Sequence, residues 1–160
     1  MHRILALLGL FLLLSQPAAA QVNIGFGGVS FDDRQPVEVT ADGLTLDQTT
    51  GEAVFTGNVI VVQGDLRMAA GAVRIVYGTQ GNQDVSEVIA TGGVLVTRGA
   101  DAAEGGSARY DVASALLTLS GNVLVTQGPT AIAGDSMVVN MRTGNGSVDG
   151  RVRTVLGGTE

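Results

Sequence analysis

The stretch Phe55–Gly64 reads FTGNVIVVQG, and near-copies follow at Leu119–Gly128 (LSGNVLVTQG) and, more divergent, at Ala90–Gly99 (ATGGVLVTRG). A catalytic site is seldom written three times in one chain, so the recurrence points to architecture, and self-similarity is read before anything else. The anchor is Gly-x-Val, at Gly57-Asn58-Val59, Gly92-Gly93-Val94, Gly121-Asn122-Val123 and Gly150-Arg151-Val152, with spacings of 35, 29 and 29 residues. Upstream of each anchor a small or acidic residue opens an alternating apolar run: ADGLTL (41–46), AGAVRIVY (70–77), GGSARYDV (105–112) and GDSMVVNM (134–141). The chain is therefore four repeats of about 29 residues. The second carries six more residues, placed in the polar, helix-hostile GTQGNQD (78–84), which reads as a surface loop.

Alternation assigns side-chain directions, because successive residues of a strand point to opposite faces. In the third copy Leu117, Leu119, Val123 and Val125 share one face, and Thr118, Ser120, Asn122 and Thr126 the other. Phe55, Val59 and Val61 take the inner places in the first copy, Val94 and Val96 in the second, Val148 and Val152 in the fourth. The phase slips once per repeat. Leu66 and Met68 are even-numbered, but Val73, Ile75 and Tyr77 are odd; Ile132 is even, but Met137, Val139 and Met141 are odd. One extra residue turns every later side chain to the wrong face unless the strand bends or bulges. The slip falls at Asp42, Gly71, Gly106 and Asp135, residues that accept unusual backbone angles. A bend is expected in every repeat, with strands of about 5–8 residues on either side.

This predicts an all-β chain, either a bent, jelly-roll-like sandwich or a β-solenoid. The first and last repeats leave open strand edges near Val37–Leu46 and Val148–Leu156. Such edges invite a further chain to add on, which makes Val37, Val39, Val148 and Val152 the candidate edge-strand docking residues. The inner face itself is apolar and built from modest side chains. It either closes into a dry core or stays open as an apolar trough.

Ahead of the repeats, Arg3, the apolar run Ile4–Leu14 and SQPAAA compose a secretory signal peptide over residues 1–20, cleaved after Ala20. Its apolar run is too short to span a bilayer, which takes roughly 20 residues. Residues 21–35 fit no repeat and read as a flexible lead, residues 36–156 as one repeat domain, and residues 157–160 as a tail. The chain has no Cys and no Lys, and its one His, His2, lies in the signal peptide. Without His or Cys in the domain there is no Ser–His or Cys–His nucleophile and no ordinary zinc site. A net charge of −6 without Lys argues against nucleic acid as a partner. Asp42 and Asp135 sit at equivalent repeat positions, where a carboxylate accepting backbone hydrogen bonds at a corner is the simplest reading. No catalytic residue, metal site or cofactor is expected.

The run VEVTADGLTLDQTTGEAVFTGNVIVVQGDLRMAAGAVRI (37–75) resembles the OstA-like family. The resemblance lies in apolar-x-apolar-x-Ala-Asp, a gap of about a dozen residues, Phe-x-Gly-Asn-Val, Gln-Gly and an Ala-rich lead into the next strand, and it extends over most of residues 36–156. It implies an open, twisted β-jelly roll in the periplasm that holds the acyl chains of lipopolysaccharide between its sheets. It also implies a bridge between inner-membrane-anchored and outer-membrane OstA-like subunits, joined head to tail through edge strands with further copies of itself. The inner positions then become groove candidates: Leu46, Phe55, Val59, Val61, Ile75, Tyr77, Val94, Val96, Tyr110, Leu117, Leu119, Val123, Val125, Met137 and Val139. A β-repeat scaffold without lipid cargo is the alternative. The second copy departs from the pattern in having Gly93 where the others have Asn or Arg. The lack of Lys leaves any contact with lipid phosphates to Arg.

Overall fold

The computed structural model describes residues 35–78 and 84–157. The signal peptide, all of the lead except Gln35, most of the GTQGNQD loop and the last three residues lie outside them. Ten strands follow in order: β1 (Val37–Thr40), β2 (Gly43–Asp47), β3 (Glu52–Gln63), β4 (Leu66–Tyr77), β5 (Val85–Arg98), β6 (Asp101–Asp111), β7 (Leu116–Gln127), β8 (Thr130–Asn140), β9 (Gly146–Asp149) and β10 (Arg153–Val155). All pairings are antiparallel, and the sheet is a meander in sequence order. β1 and β2 both pair with β3, and β9 and β10 both pair with β8, so each edge is one strand broken in the middle. The all-β expectation holds. The form is an open bent roll of hairpins, not a solenoid of parallel coils.

The bend has a defined chemistry. Between Thr56 and Val59 of β3 lie Gly57 and Asn58, opposite the single residue Gly71 of β4. The same two-against-one mismatch recurs with Gly92-Gly93, which faces Gly71 on one side and Gly106 on the other, and with Gly121-Asn122 against Asp135. Both residues of each pair have positive φ: 76° and 48° at Gly57-Asn58, 80° at both Gly92 and Gly93, and 85° and 52° at Gly121-Asn122. Gly150-Arg151, at 79° and 43°, continues the series, and its Gly150 carbonyl accepts from the Asp135 N–H at 3.1 Å. These β-bulges align into a seam running across the sheet. At Gly71 a Cβ would be crowded, 3.1–3.3 Å from backbone atoms of Thr91 and Gly92. The long strands β3 to β8 run 11 to 14 residues straight through the seam, longer than the expected segments, because the bulge bends a strand without ending it.

The seam divides every long strand into two arms, and the inner faces of the two arms pack on one another. The core unites Val59, Ala70, Val94, Val123 and Val125 from one arm with Val73, Leu117, Leu119, Met137 and Val139 from the other. Fully burying side chains of this size contributes about 1.5–3 kcal/mol each, and they carry the fold in the absence of disulfides.

Candidate functional site: an apolar cavity between the arms

The roll is not filled evenly. Along one inner row the register runs Phe55, Val73, Ala90, Ala108, Leu119, Met137 and Val148. Toward β7 and β8 the row is large and the core is dry: Leu119, Met137, Val125 and Val139 are fully buried. In β5 and β6 the same row narrows to Ala90 and Ala108, and the missing side-chain volume leaves a cavity of about 840 Å³. That is within the range of ligand pockets, about 300–1,000 Å³.

Both arms contribute to its wall. From one arm come Val61, Leu66, Met68 and Val96, joined at the edge by Val37 and Val39 of β1; from the other come Phe55, Ile75, Tyr77, Val88, Ala90, Ala108, Tyr110 and Leu117, with Met141 beyond β8. Most of these are half-buried, in contrast to the closed core beside them. Toward the β3–β4 and β5–β6 turns the inner face becomes polar. Gln63, Arg98 and Gln127 occupy the third inner place counted from the Val of their Gly-x-Val anchors, and the register joins Gln63, Leu66, Arg98, Asp101, Gln127 and Thr130 in one row. Gln127 Nε2 donates to Asp101 Oδ2 at 3.4 Å, and Gln63 Nε2 to the Gln35 carbonyl at 2.9 Å.

The fifteen inward candidates are thus split by the structure. Phe55, Val61, Ile75, Tyr77, Val96, Tyr110 and Leu117 line the cavity. Val59, Val94, Leu119, Val123, Val125, Met137 and Val139 pack in the dry core, and Leu46, on the edge strand β2, is 66% exposed. Val37 and Val39 lie on the β1/β2 edge and also reach the cavity; Val148 and Val152 lie at the opposite edge, in β9 and just before β10. Alternation alone could not separate cavity from core, because both use the same parity; the two alanines, Ala90 and Ala108, are the signal that could have done so. The row of Gln63, Arg98 and Gln127 was also legible, as the polar residue before Gly in each of the three decapeptides.

The two carboxylates held below the ordinary value, Asp47 and Asp111, sit in exposed turns. Among the described residues, no group of three or more acidic, His or Cys side chains is placed to hold a metal. The arrangement is that of an apolar container with a polar end.

Comparison with known proteins agrees with this fold. Among solved structures, LptH, the LptA homologous periplasmic component of the lipopolysaccharide transport device from Pseudomonas aeruginosa, superposes with a TM-score of 0.70 at 20% identity, over 78% of this chain and 96% of that one. At that identity the likeness establishes the fold. An uncharacterized protein of Rhizobium meliloti (strain 1021) is 30% identical over 120 residues, 71% of this chain; the match spans 64% of that relative's length. The family model described as "LptA/(LptD N-terminal domain) LPS transport protein" matches residues 38–145, from β1 to just before β9. That span contains the seam as far as Gly121-Asn122 and nearly the whole cavity wall, and the chain belongs to this LptA/LptD N-terminal-domain family.

Proposed function

We propose that this chain is a periplasmic lipopolysaccharide carrier that holds acyl chains in the cavity between the two arms. The observation that supports it best is the 840 Å³ space walled by Phe55, Met68, Tyr77, Val88 and Tyr110 in a chain of this family. Acyl chains favour such a wall by about 0.8 kcal/mol for each CH₂ withdrawn from water, so the cavity lets lipid cross an aqueous compartment. The polar row at Gln63, Arg98 and Gln127 limits how far chains enter from that side.

Assembly follows from the edges. β1/β2 and β9/β10 each pair on one side only among the described residues. Adding the β9/β10 edge of one copy to the β1/β2 edge of the next continues the sheet through main-chain hydrogen bonds. Because Val37 and Val39 belong both to that edge and to the cavity wall, joined copies share a continuous apolar path. The same joint serves the inner-membrane-anchored and outer-membrane subunits at the two ends of the bridge. Export by a signal peptide cleaved after Ala20 belongs to this reading.

Mass spectrometry of the protein purified from an envelope extract tests it. A lipid A species bound near one per chain is expected. A lipid-free protein that also refuses added lipopolysaccharide would sink the proposal and leave a closed scaffold.

A further inference from the structure

The cavity ends before the roll does. Among the described residues, its wall is drawn from β1 and from β3 to β6, with Leu117 of β7 and Met141 past the end of β8; no residue of β8, β9 or β10 itself lines it. Behind Leu117 the register places Val139, and behind Ala108 it places Leu119 and then Met137. Val125 and Ile132 of the other arm share their cluster. Leu119, Val125, Met137 and Val139 are fully buried, and Leu117 and Ile132 nearly so. The dry packing continues to the far edge, where Val148 of β9 lies so close to Gly134 that a Cβ there would meet its side chain. From β7 to the β9/β10 edge is two strand spacings, about 10 Å. The path between the two edges is therefore apolar throughout, but it has room for lipid only on the β1 side.

This block is built to open. Its members meet through apolar contacts, which have no fixed direction and which an acyl chain can replace. Met137, at its centre, is unbranched and polarizable, the kind of side chain that re-packs most readily. In β7 and β8 the two arms join at one place, the bulge of Gly121-Asn122 against Asp135, so a change of angle there parts the inner faces without breaking a strand pairing. With the cavity empty, parting the arms exposes those faces to water. With lipid present, acyl chains cover them, so lipid binds the parted state better and shifts the population toward it.

We propose that Leu119, Met137 and Val139 form a plug that separates the lipid cavity from the β9/β10 edge and gates the passage of acyl chains toward that edge. Capture on the β1 side does not need the plug to move; hand-over at the β9/β10 edge does. The gate rests on the carrier reading above and assigns its rate-setting residues.

Photocrosslinking locates the lipid. Full-length mature protein is loaded with lipid A and diluted until sedimentation velocity shows single chains. It carries a benzophenone side chain either in place of Tyr77, in the cavity wall, or in place of Val152, 48% exposed at the far edge. The parent protein should crosslink to lipid A at least tenfold more at position 77 than at position 152. Met137→Ala shortens the plug without touching the cavity wall, and it should raise the signal at 152 severalfold while leaving that at 77 unchanged. Val139→Ala, a smaller deletion, should act in the same direction and decides the matter if Met137→Ala does not fold. Equal crosslinking at the two positions in the parent, or a folded plug variant that stays silent at 152, would overturn the gate and leave the carrier standing. No crosslink at either position, with no lipid A bound, would sink the carrier reading and the gate with it.

Discussion

Arg98, only 4% exposed, donates through Nε to both carboxylate oxygens of Asp65, at 3.2 and 3.1 Å. The guanidinium ends the inner face of β5 where Val94 and Val96 leave off, and the carboxylate reaches it from the β3–β4 turn. A buried cation is tolerated only when paired, but Asp65 is 61% exposed, so removing Arg98 leaves no buried charge behind and the cost falls mainly on the lost packing of its stem. Arg98→Ala is expected to lower stability by about 3 kcal/mol, through the lost stem as well as the lost charge. Arg98→Met should cost about 1 kcal/mol or less. Urea unfolding decides; equal losses for Ala and Met would mean that the charge, not the packed stem, holds this end of the roll.

The seam predicts a ranking. Asn122 has a φ of 52° and Gly92 one of 80°. A non-Gly residue in the left-handed region costs about 1–2 kcal/mol, less for Asn. Asn122→Gly should therefore be neutral and Asn122→Ala destabilising by about 1 kcal/mol. Gly92→Ala should be worse, about 2–3 kcal/mol, since its Cβ would also lie 3.1 Å from the Gly71 Cα. Thermal melts of the three variants test the order, and a harmless Gly92→Ala would refute the account of the bend.

How much of this was legible in the sequence follows from what repeats. The bend, the open edges and the inner parity all recur, and Gly57-Asn58, Gly121-Asn122 and the slip at Gly71 signalled them without coordinates. The division between container and core does not recur. It arises because Ala90 and Ala108 meet across β5 and β6 while Leu119 and Met137 meet across β7 and β8, a pairing that only register reveals.

Asp111 and Asp47 supply an acid limb. The Asp111 carboxylate accepts from the Ser114 hydroxyl at 2.6 Å and backbone N–H at 2.7 Å, which holds it below the ordinary 3.8. Asp47 is lowered in the same way, first by the Thr50 N–H and then by that of Thr49. A carboxyl with a depressed folded pKa binds fewer protons folded than unfolded, so its contribution is present above 3.8 and fades as the pH falls through the folded value. Asp111→Ala should lower the urea midpoint at neutral pH, and the gap to the parent protein should close as the pH falls below 3.8. A gap that stays constant down to about pH 2 would place the effect in the backbone of the turn, not in the charge.

The cavity and the core make opposite demands on substitution, and this separates lipid binding from folding. Leu119 is fully buried against Met137 and its neighbours, so Leu119→Ala should cost about 3 kcal/mol while leaving lipid capture unchanged in the protein that remains folded. Ala108 lines the cavity between Ala90 and Leu119, so Ala108→Leu enters empty space. It should keep or raise the melting temperature of the lipid-free protein, because its added methyl groups gain burial at about 0.8 kcal/mol per carbon. It should also reduce bound lipid A severalfold, because it occupies the acyl-chain volume. The pair is measured by calorimetry and by lipid A mass spectrometry on the same preparations. A stable Ala108→Leu protein that carries a full lipid load would show that acyl chains lie elsewhere on the sheet, and the cavity would then be a packing defect, not the site.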